Sequence, residues 1–465
     1  MAGRLAALGV REGDRVAILA ANSGRYIDAL FAIPRLGAIA TPLNTRLSIE
    51  EMAILVRDAD AMLLLADDSF LAMAEALRAN GAVPRVQPLN PSFDDLPTGD
   101  LSGEPSGERT AFILYTGGST GRSKGVMHSS ATLIANAWQS AEIIGDLRDM
   151  RFLYIAPLFH VGALAYTAVM AMHGGVHVPL ATFDPDQMLR TIARDRVTHL
   201  AAVPTMLSRV IETPGFDSHD LSSLRRVIYG ASPISDSLLR RAMQALPGAQ
   251  FAQSYGQTET VTLTILPPEW HALDGDKAGK LKCAGRPTPG VDMKIIDDDG
   301  APVPPVAFGE VVARSASIMP GYWNLPEATA DTIRDGWIHT GDIGLLDEDG
   351  FLTLVDRKKD MIISGGENIS SVEVEDALAA HSAVLECAVI GIADPDWGER
   401  VHAVVRLRDG MSVTTDDLIA HCRTRLAGYK CPRTLDIVTA ALPLSGAGKV
   451  LKRELRADLN QQAAA

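Results

Sequence analysis

The chain is poor in cysteine, in positive charge and in the usual glycine fingerprints. Its four cysteines, Cys283, Cys387, Cys422 and Cys431, nowhere form a Cys-x-x-Cys pair. That excludes a disulfide framework and a thiolate metal site, and reads as buried or free thiols of a reducing compartment. Lysine and arginine number 43 against 57 acidic residues, a formal net charge of −14. This balance argues against binding nucleic acid or an anionic membrane in general, so a polyanionic ligand has to be held by local donors. No Gly-x-Gly-x-x-Gly occurs, and no Gly-Lys is followed by Ser or Thr, which removes the dinucleotide fingerprint and the P-loop. No secretory signal opens the sequence, so a cytoplasmic protein is expected.

Charge is also missing from residues 152–183, which contain no Asp, Glu, Lys or Arg. That stretch is long enough to span a bilayer. Pro157, Gly162, Gly174, Gly175 and Pro179 break it into strand-sized and helix-sized pieces. It is expected to be buried core and ligand wall, leaving at most peripheral membrane contact. His173 and His177 stand four apart, but Gly174-Gly175 between them argues against a metal-binding helix.

What is present is ample apolar content, 47% of 465 residues, too long a chain for one core, so at least two domains are expected. Asp14–Leu19 and Met62–Leu65 read as strands, with a helical stretch from Tyr26 to Leu36 between them. Ser48 with Glu51 forms a capping-box pattern. Alternating strands and helices predict a doubly wound, largely parallel sheet. Further strands are expected at Phe152–Ala156, Ala201–Val203, Val227–Tyr229 and Phe251–Ser254. From Gly285 the pattern changes to turns at Asp297–Gly300 and Asp347–Gly350 flanked by apolar pairs, which predicts a small β-rich subdomain over about 285–358. Asp356 to Asp360 reads as a charged connector. A compact α+β unit, 359–465, follows it, opening with a helix capped at Ser370.

The densest signal is Tyr115-Thr116-Gly117-Gly118-Ser119-Thr120-Gly121-Arg122-Ser123-Lys124-Gly125. It follows the apolar run Ala111–Leu114, and a helical pattern opens near Ser129 and Ser130. Strand, glycine-rich loop and helix are expected to converge backbone N–H groups on an anion. Hydroxyls and Lys124 add donors. A plain polar turn would not need so many donors in one place.

This loop resembles the phosphate-binding signature of the adenylate-forming superfamily: acyl-CoA synthetases, luciferases and the adenylation domains of peptide synthetases. After Gly117 the chain has Gly118-Ser119 where the pattern usually has Gly-Thr, and Ser123 where it usually has proline; loss of that proline loosens the loop. Five stretches between Tyr115 and Arg456 carry the resemblance. It implies a large N-terminal AMP-binding domain, 1–358, and a small mobile C-terminal domain, 359–465. It further implies an acid–CoA ligase working through acyl-AMP with ATP, Mg2+ and coenzyme A, as a monomer or homodimer.

The resemblance also assigns roles. Thr116 to Gly121 with Lys124 would cradle phosphates. Tyr255, Gly256, Gln257 and Thr258 would flank the adenine, and Glu259 with Thr116 would hold Mg2+; a carboxylate suits a hard cation. Gly230, Ala231 and Ser232 would line the other side of the ring. Asp342 and Arg357 would take the ribose hydroxyls. Lys449 would be the catalytic lysine, Lys359 the hinge, and Gly365-Gly366 the wall of the CoA channel. His160 is placed near the carboxylate, and His160, Gly162, Ala163 and Gly230 around the acyl group. Having His160 where amino-acid-activating relatives have Asp disfavours an amino acid. A medium- or long-chain fatty acid is expected, with an aryl acid or a carrier-protein acceptor as alternatives. A catalytically silent nucleotide-binding relative is the non-enzymatic alternative.

Overall fold

The computed structural model of the chain describes residues 1–101, 107–116, 123–145, 147–358, 360–445 and 450–464. Among these residues the strands form four sheets. The first has six strands, ordered Val86–Pro88, Ala61–Ala66, Arg15–Leu19, Ile39–Pro42, Thr110–Thr116 and Lys124–Ser129. All its pairs are parallel except the last. Arg15–Leu19 and Ala61–Ala66 are almost wholly apolar, as strands covered on both faces must be. Helix Gly24–Arg35 packs on this sheet and buries Tyr26, Leu30 and Ile33. The capping box expected at Ser48 and Glu51 is present and opens helix Ile49–Asp58.

The second sheet has seven strands, ordered Arg286–Pro287, Thr264–Leu266, Gln250–Tyr255, Arg226–Gly230, His199–Ala202, Arg151–Tyr154 and Val176–Pro179. Its last five strands run parallel. The charge-free stretch supplies all but the first residue of strand Arg151–Tyr154, and the whole of helix Val161–Met172 and strand Val176–Pro179. Its apolarity reflects core burial: Phe152, Tyr154, Leu164 and Met170 are at most 1% exposed. No helix among the described residues is long and apolar enough to cross a membrane.

A third, antiparallel sheet joins Asp292–Ile296, Gly309–Arg314, Trp337–Leu346, Ile333–Arg334 and Leu352–Arg357. The turn at Asp347–Gly350 makes the expected hairpin. The Asp297–Gly300 turn yields a single bridge, Ile296 with Pro302, and the true partner of Asp292–Ile296 is Gly309–Arg314. Pro302, Pro304 and Pro305 lack the N–H a ladder requires. The fourth sheet contains Glu367–Ile369, Ile362–Ser364, Gly398–Leu407, Val384–Asp394 and Thr434–Val438. It has a core of its own, in which Ile362, Val374, Leu378, Val389, Val405 and Leu418 are fully buried; this part is called the small lobe below.

Two expectations need correction. The glycine-rich loop does not run from a strand into a helix. Its flanks, Thr110–Thr116 and Lys124–Ser129, pair antiparallel with Thr116 opposite Lys124, and helix Ser130–Ile144 begins only after the return strand. Val126 and His128 are fully buried, and that burial favours an added strand over a helix. Nor are Asp356 and Arg357 connector residues. Both end strand Leu352–Arg357, and Asp356 is buried, its Oδ2 accepting the N–H and the hydroxyl of Ser371 at 2.6 Å each.

Candidate active site

The neck of the hairpin presents two of the expected phosphate ligands. Thr116 Oγ1 donates to Lys124 O at 3.4 Å across it. Lys124 Nζ lies 4.7 Å from the centroid of the Tyr322 ring. Tyr322 donates its hydroxyl to Glu259 Oε1 at 2.9 Å. The lysine and the carboxylate therefore meet at one tyrosine, with Thr116 on the lysine's backbone carbonyl; sequence reasoning missed Tyr322, and nothing in 319–323 singles it out. The segment reaches the hairpin by backbone bonds, Met127 N–H to Gly321 O and Trp323 N–H to Gly125 O. Gly117, Gly118, Ser119, Thr120 and Gly121 lie outside the described residues.

Strand Gln250–Tyr255 delivers the next group. After Tyr255 the chain folds back on itself: Thr260 and Val261 donate N–H to Gln257 O, and Leu263 donates to Tyr255 O. The turn is so tight that a Cβ on Gly256 would lie 1.7 Å from Val261 O, so only glycine fits. Val261 holds a left-handed φ of 58°, strained for a β-branched residue. Surrounding elements clamp the loop. His128 Nε2–H donates to Thr258 O at 2.7 Å, and burial lowers the His128 pKa to about 4. Met319 N–H donates to Glu259 O at 2.8 Å.

Asp342 is the hub of the group. Its Oδ2 accepts Tyr255 Oη at 2.7 Å and Gln257 Nε2 at 2.8 Å. Its Oδ1 lies 3.4 Å from Arg357 Nε, because Asp342 and Arg357 are register partners across the third sheet. Burial, then the Asp342 carboxylate, pushes the Tyr255 hydroxyl well above its ordinary pKa, so it stays a donor. Residues far apart in sequence thus form one acceptor–donor cluster.

The other expected residues divide. Gly230 ends strand Arg226–Gly230, and a Cβ there would lie 2.0 Å from Ser254 O. Backbone proximity between neighbouring strands, not an open pocket, demands that glycine. Ala231 follows with a φ of 66°, leading to Ser232. His160 is the N-cap of helix Val161–Met172, with its ring 4.7 Å from that of Phe159. A Cβ on Gly162 would meet free space, whereas Ala163 packs into the main core. Gly365 and Gly366 form a two-residue hairpin turn with φ of 62° and 85°, the left-handed pair such a turn needs. Their glycines answer to that turn first, since a Cβ on Gly365 would also strike Trp397 at 2.6 Å. Lys359 and Lys449 lie outside the described residues.

The donor set suits a triphosphate with Mg2+. Glu259 and Thr116 offer a carboxylate and a hydroxyl, and Mg2+ typically uses one or two carboxylates together with substrate phosphates.

Residues 1–323 match the AMP-binding enzyme family, and residues 373–449 match the AMP-binding enzyme C-terminal domain. The chain belongs to this family of adenylate-forming enzymes. It is 40% identical to feruloyl-CoA synthase of Amycolatopsis sp, over 98% of this chain and 91% of that protein. It is 35% identical to a long-chain-fatty-acid–CoA ligase of Mycobacterium tuberculosis, over 97% and 89% respectively. The solved structure of the amide bond synthetase McbA from Marinactinospora thermotolerans is 36% identical and superposes with a TM-score of 0.87, covering 98% of this chain and 92% of that one. The enzyme class is AMP-forming acid–CoA ligation, with ATP, Mg2+ and CoA.

Proposed function

We propose that the chain joins CoA to a carboxylic acid with an apolar body, an aryl acid in first place. The higher identity to feruloyl-CoA synthase than to the fatty-acid ligase supports that order. A medium- or long-chain fatty acid is the second reading, favoured by the fatty-acid ligase among the relatives. The Asp342–Tyr255–Gln257–Arg357 cluster beside the Glu259–Tyr322–Lys124 group carries the reading. It offers an acceptor for ribose hydroxyls next to donors for phosphate.

In the first step the acid's carboxylate oxygen attacks the α-phosphorus of ATP, the α–β bridging bond breaks, and pyrophosphate leaves. Lys449 lowers the repulsion between the two anions and steadies the developing charge. Glu259 and Thr116 would hold Mg2+, which neutralises phosphate charge when bound. Asp342 and Arg357 orient the ribose, with Tyr255 and Gly256 beside the adenine and Gly230 to Ser232 across from them. His160 and Gly162 border the acid. In the second step the CoA thiolate attacks the acyl carbon and AMP leaves. Units of 1–358 and 359–465 turn about Lys359 between the steps, bringing Gly365-Gly366 beside the thiol.

A panel of aryl and fatty acids, assayed for pyrophosphate release with and without CoA, tests this. AMP and pyrophosphate are expected, fastest with an aryl acid; ADP as product refutes the mechanism, and a fatty-acid preference selects the second reading. Lys449→Ala should lose about 10²–10³-fold in adenylation and keep CoA transfer from supplied acyl-AMP. Equal loss of both steps refutes its role.

A further inference from the structure

We propose that Tyr322 is a positioning residue for the metal, its hydroxyl holding the Glu259 carboxylate in the orientation that takes Mg2+ together with the nucleotide. The inference rests on the reading of Glu259 as a Mg2+ ligand. Tyr322 Oη donates to Glu259 Oε1 at 2.9 Å, joining residues 63 apart in sequence. A carboxylate has two oxygens and room for about four partners. One hydrogen bond therefore fixes its plane and leaves capacity for a cation. Groups that bond a metal ligand from behind in this way set its orientation and tune its affinity.

Tyr322 can hold that oxygen still because it is itself held. Its ring is buried in one core cluster with Val126, Leu263 and Met319, and Val126 is also its backbone bridge partner. On either side of it, Gly321 O accepts Met127 N–H at 3.1 Å and Trp323 N–H donates to Gly125 O at 2.7 Å. Tyr322 N–H donates to Thr329 Oγ1 at 2.9 Å, and Trp323 Nε1–H donates to Asp58 O at 3.1 Å. Glu259 is tied to the same segment by its backbone, its carbonyl accepting Met319 N–H at 2.8 Å. Hydroxyl and carboxylate thus belong to one cross-braced unit.

The same ring also carries Lys124, whose Nζ lies 4.7 Å from its centroid, where the π face attracts a cation. One side chain therefore separates and orients the carboxylate and the lysine. Tyr322 acts through Glu259, so it positions and does not itself bind the metal.

Tyr322→Phe removes the hydroxyl and keeps the ring, and with it the core packing and the seat of Lys124. Affinity for α,β-methylene-ATP, which cannot release pyrophosphate, is measured by titration calorimetry in saturating Mg2+ and again in EDTA. The ratio of the two affinities isolates what the metal adds. Tyr322→Phe should lower that ratio about tenfold, the lower end of the cost of losing the partner behind a metal ligand, with the affinity in EDTA at the parental value. Glu259→Gln should lower the ratio further. Adding Tyr322→Phe to Glu259→Gln should then change nothing, since residues acting as one unit are not additive. A parental ratio in Tyr322→Phe, equal weakening with and without Mg2+, or an additive double variant overturns the proposal while leaving Glu259 as the ligand if Glu259→Gln lowers the ratio. If Glu259→Gln keeps the parental ratio, the underlying reading fails and takes Tyr322 with it.

Discussion

Replacing Asp376 by Asn should stabilise the protein at neutral pH and leave it unchanged in acid. Asp376 is a half-buried residue of helix Ser371–Ala379. Burial raises its pKa from the ordinary 3.8 to about 6; Lys282 opposes the rise, while Glu375, Asp236 and Glu373 add to it. The sign follows from proton linkage. Below pH 3.8 the folded and unfolded states are both protonated, and the full stability is present. Between 3.8 and about 6 the unfolded chain ionises freely while the folded chain resists, so stability is lost as pH rises. Above about 6 both are ionised and the loss stays constant. At about 1.36 kcal/mol per pH unit, the gap between 3.8 and about 6 amounts to about 3 kcal/mol at most. Asparagine does not titrate, so the variant should match the parent near pH 3.5 and exceed it by up to that amount at pH 7. Urea denaturation of both proteins across this range reads the difference directly. A difference between parent and variant that does not change with pH would refute the reasoning.

Two more substitutions probe the architecture. Gly256→Ala should abolish adenylation while the remote fourth sheet stays folded, because the new Cβ meets Val261 O at 1.7 Å; circular dichroism with a pyrophosphate assay checks it, and near-parental activity would count against the folded-back loop. Lys452→Met should destabilise the small lobe by about 3–5 kcal/mol, the cost of stranding a buried charge. Burial alone would lower the Lys452 pKa, but Glu375 and Asp356 outweigh it and raise it; Nζ lies 2.7 Å from Glu375 Oε1. Protease resistance of the small lobe is the measurement, and an unchanged cleavage rate would contradict the structure.

Local signals in the chain proved sufficient for much of the scaffold. The Ser48–Glu51 cap, the apolar strands and the Asp347–Gly350 hairpin are short-range features. Their propensities and hydrogen bonds close within a few residues. The Gly256 turn is similar, since the residue that forbids a Cβ is Val261, five positions on.

Contacts between distant segments were a different matter. The return strand Lys124–Ser129 was invisible because Val126 is buried only against distant partners such as Tyr322, and His128 only by bonding the carbonyl of Thr258. Asp356 looked like solvated charge until Ser371 was seen to satisfy it. That Gly230 and Gly365 must lack a Cβ was equally hidden, since the atoms it would strike belong to Ser254 and Trp397. Composition, strand–helix alternation and local turn chemistry therefore determined the class of fold by themselves. Which carboxylate meets which donor was decided only by the tertiary structure, because a buried polar group is defined by partners that sheet register and lobe packing bring from far along the chain.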